Sequence, residues 1–125
     1  MSQKIWEIND LSLELNLEDA DCMERYENAF DKMSEEEKQL PKDGKSSVQI
    51  RAYCRLFRDL YDRLFGEGTS EKIFKGIPDN TDVYDEVYYS FLDFVTAQKV
   101  AAKTKRNEKL SKYRGNRRQR RNKKT

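Results

Sequence analysis

The chain has 125 residues, enough for one folded unit, with 36% hydrophobic and 38% charged residues where typical globular chains carry about 45–50% and about 25%. Residues 1–98 hold 12 Lys/Arg against 22 Asp/Glu, and residues 99–125 hold 13 against the single acid Glu108, so the formal net charge of +2 describes neither part. No histidine is present, which excludes imidazole acid–base catalysis and most transition-metal sites, and no run approaches the roughly 20 apolar residues of a membrane span.

The expected organisation is therefore an acidic helical domain over residues 1–98 and a basic extension with a disordered tail over residues 99–125. Of 14 aromatic residues, all but Tyr113 fall in the first part, which argues for a packed core there. The start of the chain has no apolar signal stretch, and Cys22 and Cys54 lie far apart without Cys or His neighbours. A reduced, cytoplasmic protein without a structural disulfide is expected.

In chain order, residues 4–17 alternate apolar and polar positions through Leu11, Leu13, Leu15 and Leu17, the period of a half-buried strand. Asn9-Asp10 predicts a turn, which makes this either a hairpin or a single strand. Asp19 or Asn16 caps a helix of about 20 residues with Met23, Tyr26, Phe30 and Met33 on its apolar face. Ser46 or Ser47 caps a second helix to Phe65, striped by Ile50, Tyr53, Cys54, Phe57, Leu60, Tyr61 and Leu64 and stopped by Gly66. Thr69 caps a short helix over 70–74. Thr81 or Asn80 opens the last helix, with Val83, Tyr84, Val87, Tyr88, Phe91, Phe94 and Val95 inward, continuing through the Ala/Lys-rich stretch at 97–105. Beyond Tyr113 no apolar residue remains to be buried, and disorder in the free protein is expected. The fold class is mainly α: a small antiparallel helical domain with a short N-terminal β-strand or hairpin and a basic C-terminal extension.

Few residues point to chemistry. The glycines and Thr69 of 66–70 lack phosphate-loop spacing and read as a helix stop followed by a helix cap. Asp59 and Asp62 flank an apolar stripe, with Arg55, Arg58 and Arg63 placed to pair with them, and Cys54 lies on that stripe as a small hydrophobe. No catalytic residue, metal ligand or cofactor site is predicted. Tyr84, Tyr88, Tyr89 and Phe91 form an aromatic strip beside acids, a candidate protein-binding surface, with extra core burial or self-association as the alternatives; Tyr84 and Tyr88 can line the core, which leaves Tyr89 on a different face. Arg114, Arg117, Arg118, Arg120, Arg121, Lys123 and Lys124 form a cationic tail suited to nucleic acid or to an acidic protein surface.

Three segments carry a family resemblance: EINDLSLELNLEDADCMERYENAF at 7–30, LFGEGTSEKIF at 64–74 and VYDEVYYSFLDFVTAQ at 83–98. Together they resemble small proteins encoded among the tail-morphogenesis genes of tailed phages and prophages of Gram-positive bacteria. That resemblance implies a non-enzymatic tail assembly chaperone of the host cytoplasm, absent from the mature virion. Its implied partners are the phage tape measure protein, which it coats, and the tail tube protein, which it recruits. The basic arm is not required by that role. The alternative is a small phage nucleic-acid-binding or regulatory protein that works through its arginine-rich tail.

Overall fold

The computed structural model describes the backbone of residues 4–124 and the side chains of residues 4–113. It is mainly helical and opens with an antiparallel hairpin, β1 (Ile5–Ile8) and β2 (Leu11–Glu14), in the register Ile5 opposite Glu14 and Ile8 opposite Leu11. Asn9 and Asp10 both take positive φ, 47° and 65°, the two-residue turn whose twist matches the paired strands. Trp6, Ile8, Leu11 and Leu13 share the inward face, and Leu15 and Leu17 carry the same period into the core.

Helix α1 (Ala20–Lys38) begins where Asp19 Oδ2 accepts from the Cys22 amide at 3.1 Å, the expected side-chain cap. Its core face is Cys22, Ala29 and Met33, with Met23, Tyr26 and Phe30 half-buried beside them. Helix α2 (Ser46–Phe65) starts without a side-chain cap. Ser46 and Ser47 lie inside the helix rather than before it, and the Lys45 carbonyl accepts from Val48 and Gln49. Gly66, at φ 115° and ψ 152°, holds a conformation closed to other residues and ends the helix. In α3 (Thr69–Ile73) the cap position falls on Gly68, so Thr69 is the first helical residue and is buried. Helix α4 (Thr81–Lys124) begins at Asn80, whose Oδ1 accepts from the amides of Asp82 and Val83 at 2.9 and 3.2 Å.

Side-chain contacts give the helix directions. Tyr53 meets Asp85, Phe57 meets Tyr88 and Tyr61 meets Phe91, so α2 and α4 run in the same sense, with α3 carrying the chain back between them. Against α1 the order reverses: Phe30 faces Phe91, and Lys99 lies over the Tyr26 ring. At the centre Trp6 packs on Tyr61, Phe65 and Phe91 with ring centroids 5.2–5.9 Å apart, and its indole N–H donates to Ser90 Oγ at 3.1 Å. The hairpin is thereby pinned to both long helices. Cys22 and Cys54 are buried thiols in this core.

The backbone of α4 stays helical to Lys124, where disorder is expected beyond Tyr113. Lys, Arg and Gln are good helix formers and no proline interrupts the run, so propensity favours continuation from a helix already nucleated in the core. Among the described residues no helix is long and apolar enough to cross a membrane.

Candidate protein-binding surface

The aromatic strip of α4 divides between core and surface. Tyr84 and Phe91 are fully buried, which corrects their expected place on a binding face: they are the inner positions of a helix packed on both sides. Tyr84 stacks on Phe74 with centroids 3.8 Å apart, and its hydroxyl accepts from Arg58 Nε at 2.8 Å. Tyr88 is half-buried against Phe57, and Tyr89 is 61% exposed. What remains is a partly exposed shelf along the α2–α4 seam, the exposed Tyr89 beside the half-buried Tyr53, with Tyr88 half-buried against Phe57. Tyr53 O–H donates to Asp85 Oδ1 at 2.5 Å. Burial, then that bond to a carboxylate, push the Tyr53 phenol well above its usual range, with Tyr89 close enough to add to the effect. The shelf is thus aromatic and acidic at its edge.

The acids of α2 have partners other than those expected. Arg58 pairs with Asp79 at 2.5 Å, Arg63 pairs with Glu36 on α1, and Asp62 accepts from the Ser70 amide at 2.8 Å. Asp62 therefore ties α3 to α2. Asp59 faces α1; its carboxyl is pushed upward by burial and by Glu36, against the opposing pull of Arg63 and Arg55. Arg51, Arg55 and Arg58 line an open cleft of about 610 Å3 with Glu71, Phe74 and Asp79 on its other wall. Its charges are mixed, and nothing in it matches a catalytic constellation.

The second exposed feature is the arm of α4 beyond Gln98. From residue 103 to 113 every side chain is exposed, including Leu110 at 51% and Tyr113 at 71%. At its root a groove of about 500 Å3 lies against Leu17 and Met23, with Ala102, Lys103, Arg106 and Leu110 on the arm side. The predicted cationic residues Arg114, Arg117, Arg118, Arg120, Arg121, Lys123 and Lys124 fall beyond Tyr113, and their side chains lie outside the described residues.

Two residues that hold these surfaces in place escape a sequence reading. Gln98 is buried; its Oε1 accepts from the Leu17 amide at 2.6 Å and its Nε2 donates to the Leu15 carbonyl at 2.8 Å. Both ends of one amide thus satisfy the chain leaving the hairpin and fix the root of the arm. The signal was its spacing, three residues after Val95 and seven after Phe91 on the core stripe. Asp79 gave no such signal, because its partners Arg58 and Tyr84 come from separate helices.

Fold and surface together define a small, mainly helical protein whose distinguishing parts are an aromatic shelf and a projecting basic arm. The chain belongs to a family of unknown function, DUF6673, whose model matches residues 9–124 and so includes the arm. Comparison with curated proteins and with solved structures gives no match.

Proposed function

We propose that this protein is a non-enzymatic, tail assembly chaperone-like binding protein that holds the tape measure protein and assists tail tube assembly. It would act in the host cytoplasm and be absent from the mature virion. The observation that carries this reading is the shelf of Tyr53, Tyr88 and Tyr89, a partly exposed aromatic surface on two parallel helices of an otherwise acidic body. Tyrosines give large contact area at low entropic cost and keep a hydroxyl for polar contacts, which suits a surface that captures amphipathic helices. The surrounding negative charge keeps a loaded complex soluble. The resemblance over residues 7–30, 64–74 and 83–98 supplies the identity of the client.

The test is recovery of tagged protein from cells expressing the whole phage tail cluster, with and without nuclease. Tape measure or tail tube protein that survives nuclease, and is lost with Tyr89→Ala, supports the reading. Recovery of nucleic acid alone, lost with residues 99–125, overturns it in favour of a nucleic-acid-binding protein acting through the arm.

A further inference from the structure

The division of charge along the chain becomes a division in space. The arm carries Lys103, Arg106 and Lys109 on successive turns, all exposed, and it leaves the body as one uninterrupted helix. At the root of the arm Lys103 and Arg106 border the groove that also holds Glu18 of the same chain, with no ion pair to it among the described residues. An unbroken helix cannot fold back, so the arm has no means of reaching the outer face of its own α1. On the outer face of α1, Glu27, Asp31 and Glu35 are exposed and spaced four residues apart, which stacks them in one line. Of the three cations of α1, Arg25 and Lys32 lie to one side, in the groove shared with Arg63 of α2, and Lys38 stands at the C-terminal end of the acidic line, one turn after Glu35. None of these three acids or three arm cations is in an ion pair among the described residues. At a rise of 1.5 Å per residue the two charge lines span about 9 Å and about 12 Å.

We infer that the arm docks on the acidic face of α1 of a second copy of this chain. Lys103, Arg106 and Lys109 lie along Glu27, Asp31 and Glu35 of the neighbour. This contact goes beyond client binding and does not depend on it. Donor and acceptor surfaces differ, so the contact is head-to-tail: each copy that gives its arm still offers a free α1 face. Such contacts build rings or open chains rather than stopping at a symmetric dimer. Each surface ion pair contributes little alone, so the association is weak, concentration-dependent and sensitive to salt.

The experiment is sedimentation velocity on the purified, nuclease-treated full chain, at about 0.1 M and about 1 M salt, where the screening length falls from about 10 Å to about 3 Å. At low salt the average mass should rise with concentration past the dimer, and at high salt the association constant should fall about ten-fold or more. The triple variants K103E/R106E/K109E and E27K/D31K/E35K should each be monomeric alone, with helical content and thermal midpoint unchanged. Mixing the two should restore assembly, because each reversed surface then finds an opposite one. Four results would overturn the proposal: a monomer under all conditions, association indifferent to salt, association lost in only one triple variant, or no rescue on mixing. Association seen only before nuclease treatment would also overturn it, and would assign the arm to nucleic acid.

Discussion

Residues 81–98 of α4 bury Tyr84, Val87, Phe91, Val95 and Gln98, while residues 99–113 of the same helix have only Ala101 and Ala102 half-buried and every other side chain exposed. The inner stretch has four acids and no Lys/Arg; the outer stretch has six Lys/Arg and Glu108. One backbone geometry is therefore held by two different means. Inside the body, packing against Trp6, Phe57, Tyr61 and Phe74 fixes the helix, and propensity matters little. Outside it, intrinsic propensity and extension from a preformed turn must suffice. The lesson is that a core can serve as the nucleus for a helix that has no core of its own. The price is marginal stability in the exposed part.

The comparison is broken most severely at Phe91, which touches Trp6, Phe30, Tyr61, Phe65 and Phe94. Phe91→Ala should lower unfolding free energy by about 3–5 kcal/mol, from lost burial and the cavity left behind. Leu110→Ala on the arm should stay within about 0.5 kcal/mol. Urea midpoints for the two variants measure the contrast directly; comparable losses would mean that the arm is packed in solution.

At the boundary, Gln98→Leu should cost about 2 kcal/mol, because a similar volume is kept while the Leu17 amide and the Leu15 carbonyl lose a buried partner. The localised readout is amide exchange, which should accelerate at Leu17 more than at residues in the middle of α2. Equal acceleration throughout would make the loss a global one and remove Gln98 as the specific tie between hairpin and arm.

How far these features were legible depends on whether their cause is local. The Asn9-Asp10 turn, the Asp19 cap, the Gly66 stop and the Asn80 cap are all decided by neighbours within four residues, and each follows from residue type and spacing. Ser46 and Ser47 misled because the helix already starts at Ser46, which leaves the cap position to Lys45; Gly68 displaced Thr69 because glycine takes a φ of 90° readily. The aromatic strip was half legible. Periodicity put Tyr84 and Phe91 inward and Tyr89 on another face, but it does not show that Trp6 of the hairpin packs on Phe91. Gln98 and Asp79 act on partners 83 and 21 residues away, and a linear reading has no access to such pairs.

A smaller effect sharpens the comparison from the arm side. Ser111→Gly should weaken the local helix by about 0.5 kcal/mol through backbone entropy. The arm cannot recover that from packing, so helical circular dichroism should fall while the urea midpoint of the body stays fixed. Hydrogen exchange should agree, with amides of residues 103–113 opening locally and those of residues 84–95 only on global unfolding. A coupled shift of both signals would show that arm and body unfold as one unit.

The smallest expected effect concerns the acids of the body. Burial and Glu36 raise the Asp59 carboxyl above its usual 3.8, so the folded state holds this proton more tightly than the unfolded chain does. Its contribution to stability is therefore fully present below the ordinary value and is lost as pH rises through the raised one. At neutral pH the ionised Asp59 is a cost, softened because the group is partly exposed and Arg63 and Arg55 oppose the shift. Asp59→Asn keeps the shape and removes the charge, so it should stabilise the protein by about 0.3 kcal/mol at neutral pH. Most of that gain should disappear in acid, below the usual carboxylate range, where wild-type Asp59 is itself neutral. Urea midpoints at the two pH values, taken as variant minus wild type, isolate the effect from other titrations. A difference of the opposite sign would mean that Arg63 and Arg55 outweigh burial, and that Asp59 stabilises the α1–α2 seam as an anion.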